Sequence, residues 1–126
     1  MANKLSSYAT AQLLTINTAL YAEEKSKDVS RCRVSRQALR NISGWGRLSE
    51  PFMVELSGDL RKLGWIFFEC SDTECAMIFA SKIAVWPKVS TKRLKEINLL
   101  TTLDEDEIDQ AYKERFPDPQ MSSDDE

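Results

Sequence analysis

Apolar residues near the start of the chain recur at a helical spacing. Leu5, Ala9, Leu13, Ile16 and Leu20 follow one another at 4, 4, 3 and 4. This predicts an amphipathic helix over residues 6 to 22 with that stripe, widened by Tyr8 and Tyr21, turned inward. A core helix is one use for it; a dimer interface built on Tyr8, Leu14 and Tyr21 is the other. The next periodic stretch is short. Ser35 is placed to cap a helix from Arg36 to Ile42 that turns Ala38, Leu39 and Ile42 inward and leaves Arg36, Gln37, Arg40 and Asn41 outside. Ser43-Gly44-Trp45-Gly46 breaks it, with the first glycine where a C-cap belongs. A longer helix then starts after Ser49, accepts Pro51 in its first turn, and repeats Phe52, Leu56, Leu60 and Leu63 at 4, 4 and 3 until Gly64 ends it. Gly58 within it costs about 1 kcal/mol against alanine.

After Gly64 the period changes. Trp65 to Cys70 and Cys75 to Ala80 are short, aromatic-rich runs flanking Ser71-Asp72-Thr73-Glu74, the pattern of a hairpin in which Cys70 and Cys75 face each other. Upstream, Arg31-Cys32-Arg33-Val34 alternates in a way that suits a short strand and an exposed loop equally. Lys82 to Trp86 extends the sheet or crosses the body, and Pro87 stops any helix there. Another helix is predicted from Ser90, with Leu94, Ile97 and Leu100 or Leu103 inward. Thr102-Leu103-Asp104-Glu105 has the form of a capping box opening a helix over 104 to 116. Its narrow stripe, Ile108, Tyr112 and Phe116, suits docking on a groove better than building a core. Pro117 and Pro119 close it, and a polar end follows.

The order of short helix, turn, longer helix, Gly64 and two hairpin strands resembles a winged helix-turn-helix over about residues 6 to 80, a fold shared by many unrelated families. The resemblance implies an α+β winged helix-turn-helix, with an N-terminal helix, a helix-turn-helix, a β-hairpin wing and additional C-terminal helices, and it raises nucleic-acid binding as an expectation. The chain divides on this reading into a body over 1–100, an acidic amphipathic helix over 101–117 and a disordered acidic tail over 118–126. The expected core holds Leu13, Ile16, Leu39, Leu56, Leu60, Leu63, Phe67 and Ile78.

Charge sharpens the division. The net charge of -3 conceals 15 Lys/Arg against 10 Asp/Glu in residues 1–100, a balance of +5, and 2 against 10 in residues 101–126, a balance of -8. Between residues 25 and 47, Lys25, Lys27, Arg31, Arg33, Arg36, Arg40 and Arg47 are opposed only by Asp28. Phosphates call for clustered cations, and base edges call for forked donors. Arg31, Arg33, Arg36, Gln37, Arg40, Asn41 and Arg47 supply both, with Arg61 and Lys62 as further candidates on the longer helix. That helix is net -1 over 49–63, and Asp72 and Glu74 make the wing tip acidic. DNA contact is therefore expected around 31–47, and the acids at 104–109 are expected to compete with phosphate or simply to satisfy their own helix.

Other chemistry finds little to stand on. There is no histidine, hence no Ser-His or Cys-His pair, and no Gly-rich phosphate loop of known spacing. Cys32, Cys70 and Cys75 are one thiol short of a structural zinc tetrad and suit a reducing compartment. The carboxylates at 104–109 have the chemistry to hold Mg²⁺, but an acidic helix start accounts for them. No enzyme, cofactor or metal is expected, nor a membrane span or a signal peptide, and the expected location is the cytoplasm. The leading expectation is a small DNA-binding regulator, of the kind mobile elements carry. Its competitor is a protein-interaction module or DNA mimic, phage or plasmid encoded, that occupies a host nucleic-acid-handling protein through Ile108, Tyr112 and Phe116.

Overall fold

The computed structural model describes residues 4–117. The chain forms two units, Met1–Trp86 and Pro87–Glu126, so the break falls ahead of the expected step at 100. The acidic stretch 118–126, expected to be disordered, lies outside the described residues.

The first unit runs α1 (Ser7–Lys25), β1 (Arg31–Ser35), α2 (Arg36–Ser43), α3 (Glu50–Lys62), β2 (Trp65–Glu69), β3 (Glu74–Phe79) and α4 (Ala80–Ile83). Serine hydroxyls open its three long helices: Ser6, Ser35 and Ser49 accept the backbone N–H groups of Ala9, Ala38 and Phe52 at 3.1, 3.0 and 3.2 Å. Gly44 closes α2 with φ 81° and Gly64 follows α3 with φ 94°, the left-handed conformation that glycine adopts without a Cβ clash. The alternating segment at 31–35 is a strand. It pairs antiparallel with β3, which also pairs with β2, giving the order β1-β3-β2. Alternation turns Cys32, Val34, Trp65, Phe67, Cys75 and Met77 to the core and Arg31 and Arg33 away from it.

Leu39, Leu56, Leu60 and Phe67 are buried in the core as expected, and Leu63 packs against it at its edge; Ile78 is also buried, but by alternation it lies on the face of β3 opposite Cys75 and Met77, outside that core. The reading of α1 is corrected. Its inward face is Thr10, Ala11, Leu14 and Thr18, whereas Leu13, Ile16 and Leu20 are 40%, 51% and 56% exposed. Burying threonine is cheap here because the hydroxyls of Thr10 and Thr18 donate to the helix's own carbonyls, Ser6 O and Leu14 O, both at 2.9 Å. Small residues on this face also let α1 approach α3, and Ser7 donates its hydroxyl to Asp59 there. With Leu14 fully buried, a dimer interface on Tyr8, Leu14 and Tyr21 is also ruled out as drawn.

Two smaller corrections concern the hairpin and the segment beyond it. Cys75 pairs with Glu69 and Val34, while Cys70 lies exposed in the loop, so the two thiols do not face each other. Ser71 organises that loop, its hydroxyl accepting the N–H groups of Thr73 and Glu74 at 3.3 and 3.2 Å. Among the described residues no strand is added after β3, and Ala80–Ile83 is a helical turn.

The second unit contains α5 (Lys92–Glu96) and α6 (Glu105–Arg115). The helix expected from Ser90 shrinks to five residues, and Leu94, Ile97, Leu100 and Leu103 are exposed. Left-handed backbone at Asn98, Thr101 and Leu103 prevents its continuation. At α6 the cap is Asp104 rather than Thr102: its carboxylate accepts the N–H groups of Asp106 and Glu107 at 3.1 and 3.3 Å.

Candidate nucleic-acid interface

The cations singled out by sequence fall into separate groups. Arg31 and Arg33 stand on the outer side of β1 and, with Lys27 and the carboxylates Asp28 and Glu74, line an open groove of about 790 Å³ beside Asn17 and Tyr21. Gln37, Arg40 and Asn41 form a second group on α2, where one amide joins all three. Gln37 donates from Nε2 to Asn41 Oδ1 at 3.0 Å and accepts from Arg40 Nη2 at 2.9 Å. Arg47 is exposed in the turn before α3, and Arg61 and Lys62 are exposed in the last turn of α3.

The hairpin changes the electrostatics of this surface. Thr73 O accepts the N–H of Arg36 at 2.8 Å, which ties the loop to the junction of β1 and α2. The hairpin acids come with it: Glu69 pairs with Arg36 at 2.7 Å and Glu74 with Arg33 at 3.3 Å. The Arg36 side chain is only 21% exposed. The expectation that α2 presents two unopposed arginines is thus corrected; Arg36 is engaged, and Arg40 remains. Among the described residues Lys27, Arg31, Arg40 and Arg47 form no ion pair, whereas Lys62 pairs with Asp59 at 3.6 Å.

Arg36 also borders the core. Burial pushes the Cys75 thiol above its ordinary range, opposed by the nearby Arg36 guanidinium. Burial likewise raises the Cys32 thiol, opposed by its contact with the Thr18 hydroxyl at 3.8 Å. Both sulfurs are held as neutral thiols. A second groove, of about 580 Å³, runs beside α3 and β2 and is lined by Arg36, Glu50 and Glu69 among others. Those two carboxylates make it a poor seat for phosphate.

Sequence reasoning missed Lys27 as a neighbour of Arg31 and missed the hairpin acids as partners of Arg33 and Arg36. Lys27 lies in an irregular connector, where no periodicity shows that it lines the same groove as the strand. The hairpin pairs need the β1-β3 register, which no local pattern supplies. Among the described residues no three His, Cys, Asp or Glu side chains are grouped to hold a metal ion, and no helix is long and apolar enough to cross a membrane. Comparison of the chain with protein-family models, curated proteins and solved structures finds no match.

Proposed function

We propose that the first unit is a winged helix-turn-helix that binds DNA as a small regulator, with contacts from β1 and α2 in place of the usual second helix of the motif. The element order and the β1-β3-β2 sheet support the fold reading. The observation that carries the function is the distribution of unpaired cations: Arg31, Arg40 and Arg47 have no carboxylate partner among the described residues and lie on or next to the segment that presents Gln37 and Asn41. Unpaired cations of this kind exchange counterions for phosphate, and the forked amides beside them have the chemistry to read adenine. α3 is the weaker candidate, since it carries Glu50, Glu55 and Asp59 against only Arg61 and Lys62.

Fluorescence anisotropy with mixed-sequence duplex at two salt concentrations tests this. Binding should weaken as salt rises, and R31A and R40A should each reduce the slope of log K against log salt by about 0.9. Larger losses from R61A and K62A would return the contact to α3, and no binding at low salt would end the DNA reading. A chain ending at Leu100 repeats the titration without the acids at 104–109. The second reading, a protein-binding module or DNA mimic, is favoured by α6, where Glu105, Asp106 and Glu107 lead an exposed stripe of Ile108, Tyr112 and Phe116. Failure to be retained on heparin, together with capture by a basic nucleic-acid-handling protein, would select it.

A further inference from the structure

We propose that the outward stripe of α1 pairs two copies of this chain as an antiparallel helix dimer. The stripe consists of Ala9, Leu13, Ile16 and Leu20, and the three large residues are all at least two-fifths exposed. Beside it α2 contributes Ala38, Asn41 and Ile42 to an open groove of about 530 Å³. The helix has no charged residue from Ser7 to Ala22, although 29% of the chain is charged. Solvent-facing helix surfaces ordinarily carry that charge, so a neutral apolar stripe opposite the buried face marks a surface meant to be covered.

The spacing and the charges select a second copy as the occupant. Residues 9, 13, 16 and 20 are separated by 4, 3 and 4, the repeat of a helix-helix seam, and the series reads the same in either direction. A twofold axis beside Leu14 and Thr15 therefore sets Leu13 against the partner's Ile16 and Leu20 against the partner's Ala9, a large side chain over a small one. Such a self-complementary patch is what an isologous contact requires. Direction is set by the ends. Glu23 and Glu24, the latter paired with Lys25 at 3.8 Å, flank the stripe near the C-terminus and leave that end net negative, while the first turn of α1 carries no acid to offset its positive end. Antiparallel pairing brings the glutamates of each copy to the other's N-terminus; parallel pairing would stack them against their own counterparts. The helix is 19 residues, about 28 Å, so the contact falls below the ~800 Å² per partner of a standard interface and should be of micromolar strength. The dimer does not rest on the DNA reading, although Asn41 borders both surfaces.

Sedimentation equilibrium from about 5 to about 500 µM covers that range. The full chain should shift from monomer to dimer, and L13E and I16K should each remain monomeric with melting temperatures close to the parent's, since both sites are exposed. Mixed in equal amounts, L13E and I16K should form a heterodimer, because only the antiparallel register places residue 13 of one chain against residue 16 of the other. A parent chain that stays monomeric throughout overturns the proposal. So does L13E that dimerises as tightly as the parent, or a mixture of the two variants that remains monomeric.

Discussion

Helices α1 and α3 carry apolar stripes of similar regularity, yet they use them in opposite ways. In α3 the stripe read from spacing is the buried one, with Leu56 and Leu60 in the core and Phe52 packed beside Trp45 at 6.1 Å between ring centroids. In α1 the regular stripe faces outward, and the core receives a quieter set, Thr10, Ala11, Leu14 and Thr18. Periodicity identifies that a helix has an apolar face; it does not say what covers that face. A helix with two such faces makes the distinction visible.

The largest test exploits the adjacent residues Leu13 and Leu14. Replacing the buried Leu14 by alanine should cost about 2 to 5 kcal/mol, as should Leu60→Ala in α3. Leu13→Ala, measured by urea denaturation in dilute solution, should stay within about 0.5 kcal/mol of the parent. Similar losses at 13 and 14 would erase the contrast between the two faces.

Two glycines, one within α3 and one just past its end, sharpen the comparison on the other helix. Gly64 has positive φ, so Gly64→Ala should destabilise by about 1 to 2 kcal/mol even though the added Cβ meets only the Phe79 ring at 3.5 Å. Gly58 is exposed within the helix and a Cβ there meets nothing within 4 Å, so Gly58→Ala should raise stability by about 0.5 to 1 kcal/mol. A loss at Gly58 in thermal melts would show that the outer face of α3, like that of α1, is not simply solvated.

The smallest effect comes from Cys32, whose thiol touches Thr18 on the inner face of α1. Burial raises its pKa and that of Cys75, so the folded state favours the neutral thiol. The corresponding stability is fully present below about pH 8.5 and is lost as pH rises through the folded values. The melting temperature should therefore decline gradually in alkaline buffer, and a thiol reagent should label exposed Cys70 well before Cys32 or Cys75. Rapid labelling of Cys32 at neutral pH would mean that α1 does not shield it.

Much of the first unit was legible in the sequence because local rules set it. Ser35 and Ser49 cap their helices, Gly44 and Gly64 punctuate them, and the aromatic runs form the hairpin, each decision made within a few residues. The face of α1 was not legible because a threonine that hydrogen-bonds to its own helix counts as polar in a pattern and as apolar in a core. The second unit misled for a different reason: a helical spacing at Leu94 and Ile97 cannot announce left-handed backbone at Asn98, Thr101 and Leu103. On the candidate surface, the cluster of cations was plain from composition, but the neutralisation of Arg33 and Arg36 by Glu74 and Glu69 depends on partners more than thirty residues distant.

The central position of β3 bears on how the chain assembles during synthesis. Both neighbouring strands precede it in sequence, so neither β1 nor β2 has a ladder partner until residues 74–79 have emerged. At ribosomal speeds of about 5 to 20 residues per second, the interval from Ser35 to Phe79 lasts roughly 2 to 9 s. Over that time the helices can form and β1 waits as an unpaired edge. The strand that completes the sheet arrives last, so closure is a single late event: the hairpin forms locally, and its free side captures β1 across more than forty residues of chain.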